Sequence, residues 1–262
     1  MHLLLLDIGN THTHLGLASA SRVLRQADFP TMAWFEGGAE RHVRRFVGRG
    51  SISGAAICSV VPRATRPAER LLRQEWKVRP LRLTSATVRG VGIDYPDPET
   101  IGPDRLANAV AVRHRYGAPA VAVDFGTAVT FDVVDRRGNY SGGIIAPGIA
   151  AMTDYLHERT ALLPRIRIRE VSAIIGRNTE QAMRIGAVRG YRGLIRELLR
   201  ELRLQLKSPR LPVVATGGYA RLMAARLPEI TAVEPLLTLE GLRLVWLAHS
   251  AERERGSRGA GK

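Results

Sequence analysis

Two short stretches of the sequence combine an acidic residue with a glycine in a way that suits phosphate chemistry. Asp7 is followed by Gly9 and Asp124 by Gly126, and each acid ends a run of apolar residues typical of a buried strand. A glycine lets the backbone approach an anion and direct N–H groups at its oxygens, and a carboxylate can hold a cation that offsets phosphate charge. One Asp-x-Gly turn usually makes only a hairpin, but two in similar settings favour a functional role.

The residues beside these turns could add polar groups to a phosphate site. Asn10, Thr11 and Thr13 flank the first turn and Thr127 flanks the second, so amide and hydroxyl groups are available on both sides. The alternative for Thr11 and Thr13 is the ordinary preference of threonine for strands. The residues of the two turns are therefore compatible with phosphate binding but do not by themselves establish it.

A third candidate is the segment Gly102-Pro103-Asp104-Arg105, which places a carboxylate and a guanidinium together before a stretch of helical periodicity. The alternative is simple helix initiation, because proline suits a first helical turn and acidic residues suit the positive end of the helix dipole. A functional role for this segment therefore requires that the fold bring it near one of the two acidic turns.

The remaining motifs of the sequence are weaker or absent. Thr216-Gly217-Gly218, between a predicted strand and a predicted helix, could present amides to an anion or leave room for a flat base. His12 and His14 share one face of a strand, but two imidazoles without a third ligand indicate a surface pair rather than a metal site. The sequence has no P-loop, no G-x-G-x-x-G after a strand, no G-x-S-x-G and no H-E-x-x-H.

Apolar runs and helical periodicity place these motifs at the ends of strands and at the start of a helix. The predicted strands are Leu3–Leu6, Thr11–Ala18, Val23–Phe29, Ala55–Val61, Val78–Leu83, Pro119–Val123, Ala128–Val134, Tyr140–Ala146 and Leu211–Ala215. The predicted helices are Ala64–Trp76, one that begins at Pro103, Asn178–Leu206, Tyr219–Arg226 and Leu239–Ala251. The strand, helix and strand over 55–83 favour a sheet with a parallel portion.

The two acidic turns belong to a repeated pattern. In both halves a short apolar strand runs into Asp-x-Gly followed by Asn or Thr, and the chain returns at once as a second strand. This pattern predicts an internal duplication, with two related domains that face one cleft. We expect a first domain over 1–115, a second over 116–251 and a disordered basic tail over 252–262.

Composition restricts the class of protein. The 262 residues are 45% hydrophobic and 24% charged, which is ordinary for a globular protein, and the net charge is +15. Only Lys77, Lys207 and Lys262 are lysines, and the arginines spread over the whole length, which favours a compositional bias over a binding stripe. Cys58 stands alone, so a reducing compartment fits. Since neither a signal peptide nor an apolar run of membrane length is present, we expect a cytoplasmic protein without a membrane span.

Taken in order, a set of motifs resembles the type III pantothenate kinases. The set is Asp7-Ile8-Gly9-Asn10-Thr11, Tyr95, Gly102-Pro103-Asp104-Arg105, Asn108-Ala109, Asp124-Phe125-Gly126-Thr127-Ala128, Gly142-Gly143 to Pro147-Gly148, Gly176 to Thr179 and Thr216-Gly217-Gly218. The resemblance covers nearly the whole chain up to Ala248. It implies an α/β fold of duplicated ribonuclease H-like (actin-like ATPase) domains around a central cleft, as in the acetate kinase, sugar kinase, Hsp70 and actin superfamily.

The same resemblance implies an activity. A member of this family phosphorylates pantothenate at its terminal hydroxyl with ATP, which is the first committed step towards coenzyme A. It works as a cytoplasmic homodimer and needs a divalent cation such as Mg²⁺ and a monovalent cation, K⁺ or NH₄⁺.

Roles for individual residues also follow from the resemblance. The first phosphate-binding loop would be Asp7, Ile8, Gly9, Asn10, Thr11, His12, Thr13 and His14, and Thr127 would contact ATP from the second turn. Asp124 would hold the monovalent cation, and Thr216 to Gly218 would lie near the adenosine. The positions that match pantothenate-binding residues are Tyr95, Gly102, Pro103, Asp104, Arg105 and Thr179, with Asp104 as the proton acceptor. His12 departs from the asparagine that many relatives carry.

The chemistry expected of Asp104 contains a tension. Phosphoryl transfer through a loose transition state asks mainly for alignment and charge neutralisation, so a weak carboxylate base can suffice. A helix N-terminus and Arg105 would both stabilise the carboxylate and weaken it as a base. We therefore expect Asp104 to act largely by orienting the hydroxyl.

Two alternatives stay open from the sequence. One is another small-molecule kinase or phosphatase of the same superfamily, because shared phosphate turns do not identify the acceptor. The other is a nucleic-acid-binding or transcription-modulating protein, which the charge of +15 suggests. Against the second, the sequence has no recognisable DNA-reading motif, and aromatic residues are only 5% of it, so nucleic acid is not an expected partner.

Overall fold

The computed structural model describes residues 2–259 and has an α/β architecture built on two mixed sheets. The strands are β1 Leu3–Ile8, β2 His12–Ala18, β3 Val23–Pro30, β4 Gly54–Ser59, β5 Leu81–Arg82, β6 Gly92–Ile93, β7 Ala120–Phe125, β8 Ala128–Val134, β9 Asn139–Pro147, β10 Val213–Thr216 and β11 Ala232–Val233. The helices are α1 Ala33–Glu36, α2 Ala39–Val47, α3 Pro62–Trp76, α4 Pro103–Tyr116, α5 Ile149–Arg159, α6 Thr179–Ile185, α7 Tyr191–Gln205, α8 Ala220–Ala224 and α9 Leu237–Gly259. A 3₁₀ turn covers Pro98–Thr100, and a π-helical turn covers Gly186–Gly190.

The chain divides into two compact units. The first comprises Met1–Gly117, Gly138–Ser141 and Leu236–Lys262, and the second comprises Ala118–Arg137 and Gly142–Pro235. The first break lies within two residues of the predicted boundary between 115 and 116. The terminal helix α9, placed by the sequence with the second domain, lies in the first unit.

The first unit is organised around β1. Its sheet has the order β3-β2-β1-β4-β5, with β1 antiparallel to β2 and parallel to β4. Leu4 and Leu6 lie in a buried cluster with Val43 of α2 and Leu72 of α3. The other face of β1 and β4 contacts α9. Because helices cover both faces, β1 is a continuous apolar run rather than an alternating one.

The second unit repeats this plan around β7. The strands β11, β10, β7 and β8 of this unit lie in a sheet of the order β11-β10-β7-β8-β9-β6, with β7 antiparallel to β8 and parallel to β10. Its core joins apolar residues of β7, such as Val123, to Ile195 and Leu199 of α7 and Met223 of α8. In both sheets the central strand has a hairpin partner on one side and a parallel strand on the other. The internal duplication predicted from the two acidic turns is therefore confirmed.

The short strand β6 belongs to the first unit. It pairs in parallel with the start of β9, at Gly92 with Asn139 and Ile93 with Tyr140. Residues 138–141 belong to the first unit as well, so the pairing lies within that unit. It brings Tyr140 next to the segment that carries Tyr95.

Several predicted elements differ from the observed ones. The predicted strand Val78–Leu83 shortens to Leu81–Arg82. The helix predicted over Asn178–Leu206 is interrupted by the π-helical turn, which glycines of low helix propensity begin and end. Helix α9 runs on to Gly259, past the predicted end at Ala251, because the Glu and Arg residues there are good helix formers. The end of the predicted tail, 260–262, lies outside the described residues.

Within residues 2–259, none of the helices combines the length and the apolar character that a bilayer crossing requires.

Helices α4 and α9 cross at a glycine. A Cβ atom at Gly241 of α9 would overlap the carbonyl oxygen and carbon of Ala107 in α4, and backbone atoms cannot move aside cheaply. Next to this contact the Thr238 hydroxyl donates to Oδ1 of Asn108 at 2.9 Å. Close approach at Gly241 thus holds α9 onto the helix that begins at the Gly102 segment.

We predict that Gly241→Ala lowers stability by about 1–3 kcal/mol, as overpacking does when a neighbouring backbone must shift. The matched control is Gly193→Ala in α7, where a new Cβ meets nothing within 4 Å. Because alanine has the higher helix propensity, the control should be neutral or more stable by up to about 1 kcal/mol. Thermal and urea denaturation of both variants measure the difference, and equal stability would contradict the crossing.

Candidate active site

The first acidic turn joins β1 to β2 at the carboxyl end of β1. Asp7 is half-buried at the penultimate position of β1, where it is in register with His14 of β2 and Cys58 of β4. The N–H of Gly9 donates to the carbonyl oxygen of His12 at 3.0 Å and closes the turn. The exposed residues of the turn are Asn10, Thr11, His12 and His14.

Two residues of the predicted phosphate loop face inward. The side chains of Ile8 and Thr13 are fully buried. Alternation along a strand explains this, because Thr13 points to the opposite face from His12 and His14. The Thr13 hydroxyl accepts from the Trp34 indole N–H at 3.1 Å, so it is engaged inside the unit. Thr13 supports the loop rather than presenting its hydroxyl outside.

Cys58 connects the first turn to Asp104. The Cys58 thiol is fully buried and makes a side-chain hydrogen bond with Asp7. It also lies close enough to Asp104 for the negative charge of that carboxylate to act on the thiol. Burial, followed by the two carboxylates, raises the pKa of the thiol well above its usual value, so the group stays neutral. From the sequence Cys58 indicates only a reducing compartment, because no local pattern shows that β4 pairs with β1 and places Cys58 opposite Asp7.

Asp104 lies in the first turn of α4. The N–H of Arg105 donates to its Oδ1 at 2.9 Å, and Gly102 is the N-cap residue. A Cβ at Gly102 would come within 2.5 Å of Oδ1, so only glycine leaves the carboxylate this position. The segment Gly102-Pro103-Asp104-Arg105 therefore does begin a helix, with its carboxylate drawn inward.

Burial determines the ionisation of Asp104. Desolvation raises the pKa of this carboxyl above its ordinary value, and the N–H and guanidinium of Arg105 oppose the shift with smaller effects. The expectation that Arg105 and the helix N-terminus weaken Asp104 as a base was wrong in its net sign, because the loss of water outweighs both. Asp104 is a stronger base than an exposed aspartate.

Aromatic contacts extend this group of residues. The Arg105 guanidinium carbon lies 5.7 Å from the centroid of the Tyr140 ring, within cation–π range. Tyr95 meets the same ring edge-on with centroids 6.0 Å apart. Two segments with expected pantothenate-binding residues, Tyr95 and Gly102–Arg105, are thus joined within the first unit. Tyr140 was missed from the sequence, since its place depends on the pairing of β6 with β9.

The second acidic turn repeats the first in the second unit. Asp124 is half-buried at the penultimate position of β7, in register with Thr130 of β8 and Thr216 of β10. The N–H of Gly126 donates to the carbonyl oxygen of Ala128 at 3.0 Å. Thr127, at the tip, is exposed.

Two further glycines pack against this turn. A Cβ at Gly148 would lie 2.5 Å from the Gly126 carbonyl oxygen, and the Gly148 N–H donates to the Thr127 carbonyl oxygen at 3.1 Å. Gly217, with φ of 87°, lies against Asp124 and Phe125, where a Cβ would come 2.7 Å from the Phe125 carbonyl carbon. The motif Thr216-Gly217-Gly218 therefore adjoins the carboxylate of Asp124.

Thr179 is exposed at the start of α6 in the second unit. Asn178 caps this helix, because its Oδ1 accepts from the N–H of Gln181 at 2.9 Å. The spacing of Asn178 and Gln181 predicts such a cap. Gln181 in turn accepts from the N–H of Arg177 at 3.0 Å.

The acidic turns carry carboxylates of the kind that can bind a cation together with the phosphates of a nucleotide. No cluster of three or more His, Cys, Asp or Glu side chains able to hold a metal occurs within the described part of the chain, and the His12 and His14 rings lie 6.3 Å apart. Mg²⁺ bound to nucleotide phosphates needs only one or two protein carboxylates. Asp7, half-buried beside a glycine-containing turn, fits this kind of site and not an all-protein metal cage.

Comparison with known proteins identifies the family. The family described as type III pantothenate kinase matches residues 3–201. The chain belongs to this family. A type III pantothenate kinase of Akkermansia muciniphila is 48% identical over 246 residues, covering 93% of this chain and 98% of that protein. One from Methylacidiphilum infernorum is 41% identical over 245 residues, covering 93% and 87%.

The fold agrees with a solved structure of low sequence identity. A conserved Campylobacter jejuni protein, assigned to the Baf transcriptional activator family, matches with a TM-score of 0.61 and 20% identity, over 95% of this chain and 99% of that one. The actin-like ATPase fold and the activity expected from the sequence are confirmed. As a type III pantothenate kinase, the chain is an ATP-using transferase that phosphorylates pantothenate in coenzyme A biosynthesis.

We predict that Asp104→Asn makes this pantothenate kinase more stable at neutral pH. Because the folded-state pKa of Asp104 is raised, ionisation of this group favours the unfolded chain as pH rises. The gain in Tm should be full above the raised pKa and vanish below the ordinary aspartate pKa. Asp135→Asn, in the β8–β9 hairpin, is the control and should leave Tm unchanged; a Tm for Asp104→Asn that never exceeds wild type would contradict the desolvation.

Proposed function

We propose that Asp104 receives the proton of the pantothenate hydroxyl while that oxygen attacks the γ-phosphorus of ATP. The new O–P bond forms as the bond to ADP breaks, so the products are 4'-phosphopantothenate and ADP. The observation that carries this role is the desolvated position of Asp104 at the start of α4, close to Cys58, which itself contacts Asp7. A base beside a phosphate turn is the pairing that this transfer needs.

The raised pKa of Asp104 bears on the timing of proton transfer. In a loose transition state the hydroxyl keeps its proton until late, so the base needs chiefly to be deprotonated and in place. The Arg105 N–H bond to Oδ1 fixes one carboxylate oxygen. The second oxygen is then the one that accepts from the substrate hydroxyl, and burial makes it a better acceptor.

ATP is proposed to bind at the two acidic turns. The first supplies Asp7, Gly9, Asn10, Thr11, His12 and His14, with Ile8 and Thr13 packed beneath them, and Thr127 contributes from the second turn. Backbone N–H groups at such turns bind phosphate oxygens. Mg²⁺, held through Asp7, would neutralise phosphate charge. Thr216 to Gly218 is proposed to lie along the adenosine, where the missing side chains leave room for a base.

Pantothenate is proposed to bind beside Asp104. Its carboxylate suits the positive charge of Arg105, whose guanidinium is steadied by the Tyr140 ring. Tyr95, about one-third exposed at 37%, offers a face to the substrate and packs on the same ring. Gly102 and Pro103 set the start of the helix, and Thr179 is proposed as a pantothenate-binding residue because it matches such a position in the family.

Asp124 is proposed to hold a monovalent cation, K⁺ or NH₄⁺. Its carboxylate is half-buried, and its Oδ1 lies so close to Gly217 that a Cβ there would come within 2.4 Å of it. Such a cation would add positive charge next to the phosphates at Thr127. The proposal concerns the position of the charge rather than a step of the transfer.

A cytoplasmic homodimer is proposed as the working form. The second unit exposes large apolar side chains in and after β9 and α5, which is the kind of surface that a partner covers. They include Ile145 at 64%, Tyr155 at 61%, Leu162 at 90%, Ile174 at 73% and Ile175 at 81% exposed. Pantothenate is the small-molecule partner of the site.

We predict that Asp104→Asn lowers kcat for pantothenate-dependent ADP release about 100-fold, as loss of a positioned general base does. The KM for ATP should change little, because Asp104 faces the acceptor. The assay couples ADP release to NADH oxidation in Mg²⁺ and K⁺, with Asp135→Asn as the control. Wild-type kcat in folded Asp104→Asn would rule out the assignment.

A second prediction concerns the monovalent cation. Replacing K⁺ with Na⁺ should slow the wild-type enzyme, and Asp124→Asn should be slow in both salts, because the neutral amide removes the charge that attracts the ion. Titrating K⁺ against rate gives the apparent activation constant for each protein. A variant with the wild-type response to K⁺ would show that Asp124 does not hold the ion.

A further inference from the structure

A buried threonine outside the proposed site holds the first acidic turn. Thr31 directly follows β3 and is 1% exposed. Its hydroxyl donates to the carbonyl oxygen of Gly9 at 2.7 Å, and its N–H donates to the carbonyl oxygen of Thr11 at 2.9 Å. One residue therefore fixes the carbonyls on both sides of Asn10.

The hydroxyl of Thr31 is the last donor in a chain of hydrogen bonds that runs from Trp34 through Thr13 to the Gly9 carbonyl oxygen. The Trp34 indole, which can only donate, gives its N–H to the Thr13 hydroxyl at 3.1 Å. The hydroxyl oxygens of Thr13 and Thr31 lie 3.1 Å apart. Because the single hydroxyl hydrogen of Thr31 is donated to the Gly9 carbonyl oxygen, Thr13 is the donor and Thr31 the acceptor in the bond between them. Trp34, Thr13 and Thr31 are all buried, so the chain is shielded from water and its bonds reinforce one another.

Because Thr31 fixes the carbonyls of Gly9 and Thr11, it also fixes the direction of the N–H groups of Asn10 and His12, which belong to the same peptide units. Within the described residues the cis peptide bond is Ala118–Pro119, so the bonds from Gly9 to Asn10 and from Thr11 to His12 are trans. In a trans peptide the N–H points opposite to the C=O. Since both carbonyls face Thr31 in the interior, the N–H groups of Asn10 and His12 point away from Thr31.

We infer that Thr31 is a positioning residue for ATP: through the chain from Trp34 and Thr13 it orients the amides of Asn10 and His12 towards the nucleotide phosphates. The inference rests on the proposed function, in which this turn binds those phosphates. Thr31 contacts neither substrate, so its effect should appear in the affinity for ATP and not in that for pantothenate.

The test compares Thr31→Val with Thr31→Ser. Valine keeps the shape and the backbone N–H but leaves the Gly9 carbonyl and the Thr13 hydroxyl without their buried partner, which should raise the KM for ATP about tenfold. Serine restores the hydroxyl and should return the KM for ATP to within about twofold of wild type. The KM for pantothenate should stay unchanged in both.

Thr65→Val is the matched control. Thr65 is a buried threonine of the same unit, and its hydroxyl contacts Oγ of Ser59 at 2.8 Å and the Val61 carbonyl oxygen at 3.0 Å rather than a carbonyl of the turn. It should lose stability without a change in the KM for ATP. A selective rise in Thr31→Val alone supports the inference, whereas a folded Thr31→Val with the wild-type KM for ATP overturns it.

Two further variants keep the outcomes separate. If Thr31→Val does not fold, Trp34→Phe decides, because it removes the N–H that starts the chain and keeps an aromatic ring: a raised KM for ATP supports the inference and an unchanged one overturns it. If Asp7→Asn impairs turnover and Thr31→Val does not, only the inference is wrong. If neither variant alters kcat or the KM for ATP, the placement of ATP at this turn is wrong and the inference falls with it.

Discussion

The parallel pairing of β1 with β4 determines where chemistry can occur in the first unit. Parallel strands end at the same edge of a sheet, so the register that places Asp7 opposite Cys58 also places both at the carboxyl edge. Asp104, at the start of α4, acts on the same buried thiol. The second unit applies the same constraint, with β7 and β10 in parallel and Asp124 opposite Thr216. Topology thus delivers a carboxylate and a turn to corresponding edges of both sheets.

Desolvation gives the Asp104 carboxylate different properties from those of an exposed aspartate. Around Asp104 burial prevails over the favourable contacts of Arg105, and the result is a stronger base on a rigid helix start. The close fit depends on glycines: Gly102 leaves room for the carboxylate, and Gly148 and Gly217 let two backbone segments approach the second turn. A carboxylate held this way weakens the fold slightly while it serves the reaction, a trade that active sites commonly show.

The local motifs could be predicted from sequence, and the contacts between distant segments could not. Asp7 to Gly9 and Asp124 to Gly126 are visible because strand, acid and glycine are neighbours, and their recurrence suffices to predict the duplication. Tyr140, Cys58 and Thr31 were missed, because each reaches its partners through strand pairing that no local pattern displays.

Two other errors have physical causes. The sign of the Asp104 pKa shift depends on how much water the fold removes, and sequence gives the charged neighbours but not the burial. The assignment of α9 to the second half failed because chain order does not show that Gly241 packs on α4. Both quantities belong to tertiary packing, which a reading along the chain cannot provide.

The most direct test of a desolvated Asp104 as the proton acceptor is the pH dependence of kcat for the wild-type enzyme with saturating ATP and pantothenate. A base must be deprotonated to act, so kcat should fall on the acid side with an apparent pKa above that of an ordinary aspartate. The acid limb should be absent from the residual activity of Asp104→Asn. A wild-type kcat that stays level down to the ordinary aspartate pKa, or an acid limb that survives in the variant, would contradict the account.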